Sequence, residues 1–154
     1  MKKFIYIITL YIICINILPK GYINTLPSIP IYPDNKTEAL EVKKFIKNRT
    51  KEDIKFFHLT NKSVIHAFIP YIDLTYEQLQ KIELSVVSTI LILKYLINRA
   101  RPDQINKTII SLDKSTAMTP AYPAGHAFQA YFLAKVLSKS YPEKRERLYK
   151  IAKE

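Results

Sequence analysis

The chain has 154 residues, 48% of them apolar, with 24 Lys+Arg against 13 Asp+Glu and a net charge of +11. That length suits one domain with a modest core, and that apolar fraction excludes a disordered chain. One cysteine, Cys14, excludes an intradomain disulfide and a cysteine-built zinc site. The basic residues, nineteen of them lysine, are spread out with no aromatic interleaving, so no nucleic-acid partner is expected.

Lys2 and Lys3 precede residues 4–18, an apolar run without a charge. A basic start followed by an apolar stretch is the layout of a secretory signal or a short anchor. No small-x-small cleavage site comes after it, so cleavage and retention both stay open. The run is short against the ~20 residues that span a bilayer. The lysines before it orient the rest of the chain to the extracytoplasmic side, so the domain is expected to be membrane-anchored or secreted. Residues 1–23 are therefore assigned to a signal peptide or membrane anchor. Residues 24–36 carry Pro27, Pro30 and Pro33 and read as a Pro-rich linker. Four Asn-x-Ser/Thr sites, at Asn35, Asn48, Asn61 and Asn106, add weak support for secretion.

Residues 37–154 read as helices. Apolar positions at Ala39, Leu40, Val42, Phe45 and Ile46 follow a 3.6 period. Short helices are expected over 52–58 and over 64–68, the second stopped by Pro70. Thr75 and Gln78 form a capping-box pattern. It opens the longest periodic stretch, expected as one helix to about Ala100 and ended by Pro102. A loop covers 103–122. A helix is expected from Gly125 to about Lys139. Ser140 and Glu143 form a second capping-box pattern, with Pro142 in a first turn, ahead of a last helix still running at Glu154. No strand alternation and only two glycines point to an all-α fold.

Two short stretches carry chemistry. The first contains Lys94, Arg99, Arg101 and Pro102. On a continuous helix, positions seven apart fall about 20° out of line, so Lys94 and Arg101 would share a face while Arg99 would not. A lysine point charge beside an arginine fork suits a tetrahedral oxyanion. Lys94 also interrupts the apolar run 86–97, where a charge needs a partner. The second stretch is Ala121-Tyr122-Pro123-Ala124-Gly125-His126. Glycine lets a ligand approach the backbone, the helix N-terminus favours an anion, and a histidine there can protonate a leaving oxygen. His58 and His66 read as ordinary helix residues.

Lys-x6-Arg-Pro followed by Pro-Ala-Gly-His resembles the type 2 phosphatidic acid phosphatase and vanadium haloperoxidase superfamily. The flanking residues are similar to its soluble bacterial-type acid phosphatases. The resemblance covers about residues 75–154 and, more loosely, 37 onward. It implies a helical bundle in which Lys94 and Arg101 hold phosphoryl oxygens, Gly125 offers a backbone N–H, and His126 is the general acid. The substrate implied is a phosphomonoester, with no cofactor; vanadate would be held only in a haloperoxidase-like protein.

Two departures accompany the resemblance. Ala124 stands where the family usually has serine. The third motif, Ser-Arg and then a histidine and an aspartate, would supply the nucleophile; the 28 residues after His126 hold neither a histidine nor an aspartate. Arg145 and Arg147 do not follow a serine and are not assigned to it. The fold is thus expected to be incomplete at its C-terminus. The function is expected to be that of a membrane-anchored or secreted phosphatase-type domain lacking its nucleophile, with a non-catalytic anion-binding or structural relic of the fold, or a vanadium haloperoxidase-like protein, as the alternatives. Apolar faces left without partners would favour self-association.

Overall fold

The computed structural model describes residues 34–113, 115 and 117–154. These residues are all-α, with eight α-helices, two 3-10 turns and no strand. Residues 4–18, expected as signal or anchor, lie outside them. No helix among the described residues is long and apolar enough to cross a membrane.

Helix α1 spans Asn35–Lys47, capped by the Asp34 carboxylate, which accepts from the Lys36 and Thr37 amides. It therefore starts within the stretch read as linker. Helix α2, Lys51–Thr60, opens on a reciprocal box between Thr50 and Asp53. Helix α3, Ile65–Phe68, passes directly into a 3-10 turn over Ile69–Tyr71. Pro70 thus tightens the winding rather than stopping it. Its fixed φ suits an early turn position and its missing N–H costs nothing there.

The expected long helix from Thr75 to Ala100 is two helices. The first, α4, spans Tyr76–Leu84 and forms the Thr75–Gln78 capping box. The second, α5, spans Val87–Ile97. At the break, the Ser85 amide and hydroxyl both donate to the Ile82 carbonyl, the latter at 2.7 Å. This local bonding competes with continued helix. Helix α5 ends at Asn98 in the left-handed conformation, φ 47° and ψ 45°, a geometry asparagine tolerates better than most residues. The end therefore precedes Ala100, and Pro102 opens a new single turn, α6, Pro102–Ile105.

Helix α7 spans Gly125–Ser140, and α8 spans Arg145–Lys153 after a 3-10 turn at Pro142–Lys144. The Ser140–Glu143 capping box does not form. Ser140 is still inside α7, so its hydroxyl lacks the geometry of a cap. Pro142 does sit in a first turn, as expected.

The core is built from α3, α4, α7 and α8. Ile65, Phe68, Leu79, Leu133, Leu137 and Leu148 are the largest fully buried side chains. Each buried side chain of this kind contributes about 1.5–3 kcal/mol of transfer free energy. Helix α7 touches α4, α5 and α8, so its first turn is held in a fixed place. That turn carries Gly125 and His126. On the opposite side, α5 leaves Ile92, Tyr95 and Leu96 exposed.

Candidate functional site

A cavity of about 360 Å³ sits at the start of α7 and is lined by Lys94, Arg101, Thr119, Ala121, Ala124, Gly125, His126 and Gln129. All four residues expected at the site meet there. They do not meet for the expected reason. Lys94 is on α5, whereas Arg101 lies beyond the helix end in extended backbone, φ −79° and ψ 151°. The loop after α5, rather than helical phase, brings the two cations together. Arg99 points elsewhere, as expected: it pairs with Glu38 and donates to Asn35 Oδ1 on α1.

Both cations are aimed by neighbouring main-chain carbonyls. Lys94 Nζ donates to the Pro120 oxygen at 2.6 Å, and Arg101 Nε donates to the Thr119 oxygen at 2.8 Å. An ammonium has three donors and a guanidinium five, so each keeps hydrogens for a ligand. Lys94 is 5% exposed. Burial, and then the nearby Arg101 charge, hold its pKa below the ordinary lysine value. A site that disfavours its own positive charge favours an incoming anion.

The first turn of α7 adds backbone donors. Ala124 is in cap position, φ −65° and ψ 115°, but supplies no side-chain cap. The N–H groups of the first turn have no partner within the helix and are left to a ligand. Gly125 has an ordinary helical backbone. A Cβ there would lie 3.8 Å from Lys94 Cε and 4.0 Å from Ile90 Cγ2. Such contacts are unstrained, so the glycine's effect is on cavity space beside Lys94. Ala124→Ser is expected to supply the missing cap and stabilise the protein by about 0.5–2 kcal/mol. Thermal melts with and without phosphate check this, and phosphate should add less to the serine variant than to the parent, since the cap takes one of the amides otherwise left to the ligand.

Two residues at the site escaped the sequence reading. Glu83 on α4 is buried, and its Oε1 accepts from the buried Ser63 hydroxyl at 3.0 Å. Its charge, together with a hydrogen bond to the Asn61 backbone, pulls the His126 pKa upward. Burial outweighs both and, helped by Lys94, leaves that pKa below the ordinary imidazole value. The segment 61–63 thus touches His126 through its backbone and Glu83 through a side chain. The signal for Glu83 was its place four after Leu79, on the same buried helical stripe. Gln129, one turn beyond Gly125, is the other.

Arg145 and Arg147 lie away from the cavity. Arg147 stacks on the Tyr71 ring at 4.4 Å and bonds its hydroxyl, and Arg145 lies over Tyr149. His66 Nδ1 contacts the Ser63 carbonyl, and His58 meets the Phe57 ring edge. His126 is the one histidine lining the cavity among the described residues. No group of metal-ligating side chains occurs among those residues either. No family model, no curated protein and no solved structure matches the chain.

Proposed function

We propose that residues 34–154 form a phosphomonoester-binding domain of the type 2 phosphatidic acid phosphatase kind. The observation that carries this is the convergence of the Lys94 ammonium, the Arg101 guanidinium and the first turn of α7 on one cavity. Cations and oriented amides together complement a tetrahedral dianion. His126 stands at the same cavity, where a cationic imidazole would pass a proton to a leaving oxygen and become neutral. Residues 4–18 would send the domain to the extracytoplasmic side, either as a cleaved signal or as a retained membrane anchor.

Turnover through a phosphohistidine needs a nucleophile on the side opposite the acid. His126 cannot attack in line and protonate the opposite oxygen with one ring. Binding without release of phosphate is therefore the expected behaviour of this 154-residue chain.

Calorimetry with phosphate and with vanadate tests the reading. Arg101→Ala is expected to weaken phosphate binding by about 10- to 100-fold, the worth of a charge-assisted contact. No heat at millimolar ligand would sink the proposal. Release of phosphate from an aryl phosphate, abolished by His126→Ala, would instead overturn the expectation of an inactive chain.

A further inference from the structure

Helix α5 is apolar nearly all the way round. Eight of its eleven residues are apolar, and its one charge, Lys94, is buried at the anion cavity. A helix of that composition is normally enclosed by protein. Here only Ile90 and Lys94 are buried, on the side that meets Gly125 of α7. The outer side is bare, with Ile92 at 61% and Leu96 at 76% exposure and Leu91 and Tyr95 beside them. Leu91 and Tyr95 are four apart, as are Ile92 and Leu96, so the four side chains form one continuous ridge. Together they leave on the order of 500 Å² uncovered, in the upper part of the range for the largest apolar patch on a monomer. A shallow cavity of about 480 Å³ on α7, lined in part by Phe128, Tyr131 and Phe132, extends the apolar surface. Phe128 and Phe132 follow Gly125 by three and seven residues, next to the face that Gly125 turns to α5.

Charge and area together select the occupant. The exposed residues of α5 carry no charge, in a chain whose net charge is +11. Copies of so basic a chain repel one another over most of their surface, and this face lets two of them meet without setting cation against cation. A helix that lies on a membrane surface instead carries lysines and arginines beside its apolar side. The one cation of α5 is buried, and Arg99 just beyond it is paired with Glu38. A two-fold axis at Ile92, the middle of α5, sets the ridge antiparallel to its own copy. Such a pairing covers about twice the area of one ridge, roughly 1,000 Å², which reaches the lower bound of a specific interface before the α7 surface is added.

We infer that the outer face of α5, with the aromatic surface beside it on α7, is a two-fold interface between two copies of this chain. The inference goes beyond the phosphate reading and stands without it. Lys94 is two residues from Ile92, about 200° round the helix, so the anion cavity is turned away from the contact. An interface at the low end of the size range gives a dimer that dissociates on dilution.

The test uses the full chain. Sedimentation is expected to show a dimer at about 100 µM that gives way to monomer near 1 µM, as a micromolar dissociation constant requires. Leu96→Glu carries the same residues 4–18 and is expected to raise that constant at least about 100-fold, since the two-fold buries the new carboxylate twice. Leu96 is exposed, so helical content by circular dichroism should match the parent. A second readout does not depend on that variant. With Cys14→Ser as background, Ile92→Cys should link to its own copy under a mild oxidant, because cysteines astride the axis come within the Cα range of a disulfide. Phe45→Cys, equally exposed but on α1, should not link. A parent that stays monomeric at 100 µM overturns the interface. So does a dimer that persists in Leu96→Glu, or linking as strong from Phe45→Cys as from Ile92→Cys. A fluorophore on Ile92→Cys that shifts to the blue when neutral lipid vesicles are added to the monomer assigns the face to a bilayer and overturns it too.

Discussion

Replacing Lys94 by methionine is expected to give a protein more stable at pH 7 that no longer holds phosphate. The ammonium is buried, with one main-chain acceptor and a guanidinium nearby rather than a carboxylate. A charge in that setting lacks the partner that usually offsets desolvation. Methionine has similar length and packs as an apolar side chain. Exchanges of buried charges for apolar groups gain about 1–4 kcal/mol. Loss of the donor to the Pro120 carbonyl offsets about 1 kcal/mol of that. Urea unfolding reads the net gain, expected at about 0–3 kcal/mol from these two figures.

Phosphate should then reverse the ranking. At 100-fold over its dissociation constant it stabilises the parent by about 2.7 kcal/mol and the variant not at all. The pH dependence has a definite sign. Lys94 in the fold loses its proton below the ordinary 10.5. Between its folded value and 10.5 the unfolded chain binds more protons, so parental stability rises with pH across that window. The advantage of the methionine variant is lost as that window is passed. A variant less stable than its parent in phosphate-free buffer at pH 7 would show that the ammonium is not a burden to the fold.

The second large effect concerns His126. Its imidazole is expected to titrate below the ordinary 6.5, because burial disfavours its cation. Three histidines in the chain make their ring signals few enough to follow one by one by NMR, with His126→Asn identifying the one at the site. Glu83→Gln removes the negative charge that pulls His126 upward but keeps an acceptor for Ser63. The His126 value should fall further in that variant, at a stability cost under about 1 kcal/mol since the hydrogen bond survives. Bound phosphate should move it the other way. Between the folded value and 6.5 the unfolded chain holds more protons, so stability rises with pH through that window and is lost as acid is added. An unchanged His126 titration in the Glu83→Gln variant would reduce Glu83 to a packing residue.

Local signals in the chain were reliable where one element decides the outcome. The Thr75–Gln78 box, the start of α7 at Gly125 and helix α1 itself were all legible, although Leu40 and Phe45 of the α1 stripe are exposed. The break between α4 and α5 was not, because the helical period runs through both halves and only the Ser85 bonds to Ile82 separate them. The expected convergence of Lys94 and Arg101 was found for a different reason, since Asn98 ends the helix between them. Glu83 reads as one more polar residue on a helix rich in them until the packing of α4 against α7 buries it. The cavity lined by Val42, Phe57 and Arg101 joins α1 and α2 to residues far along the chain from them, and no spacing rule reaches across that distance.

Arg101 and Lys94 are held by the oxygens of Thr119 and Pro120, which belong to the main chain and not to any side chain. Every residue type carries that oxygen. The loop can therefore drift in sequence at these positions while the two cations keep their aim. Its last residues cannot drift in length, because losing one between Thr119 and Gly125 would slide both carbonyls out of register with the first turn of α7. A search for relatives of this chain is better guided by the spacing of Lys94, Arg101 and His126 than by the identity of the residues between them.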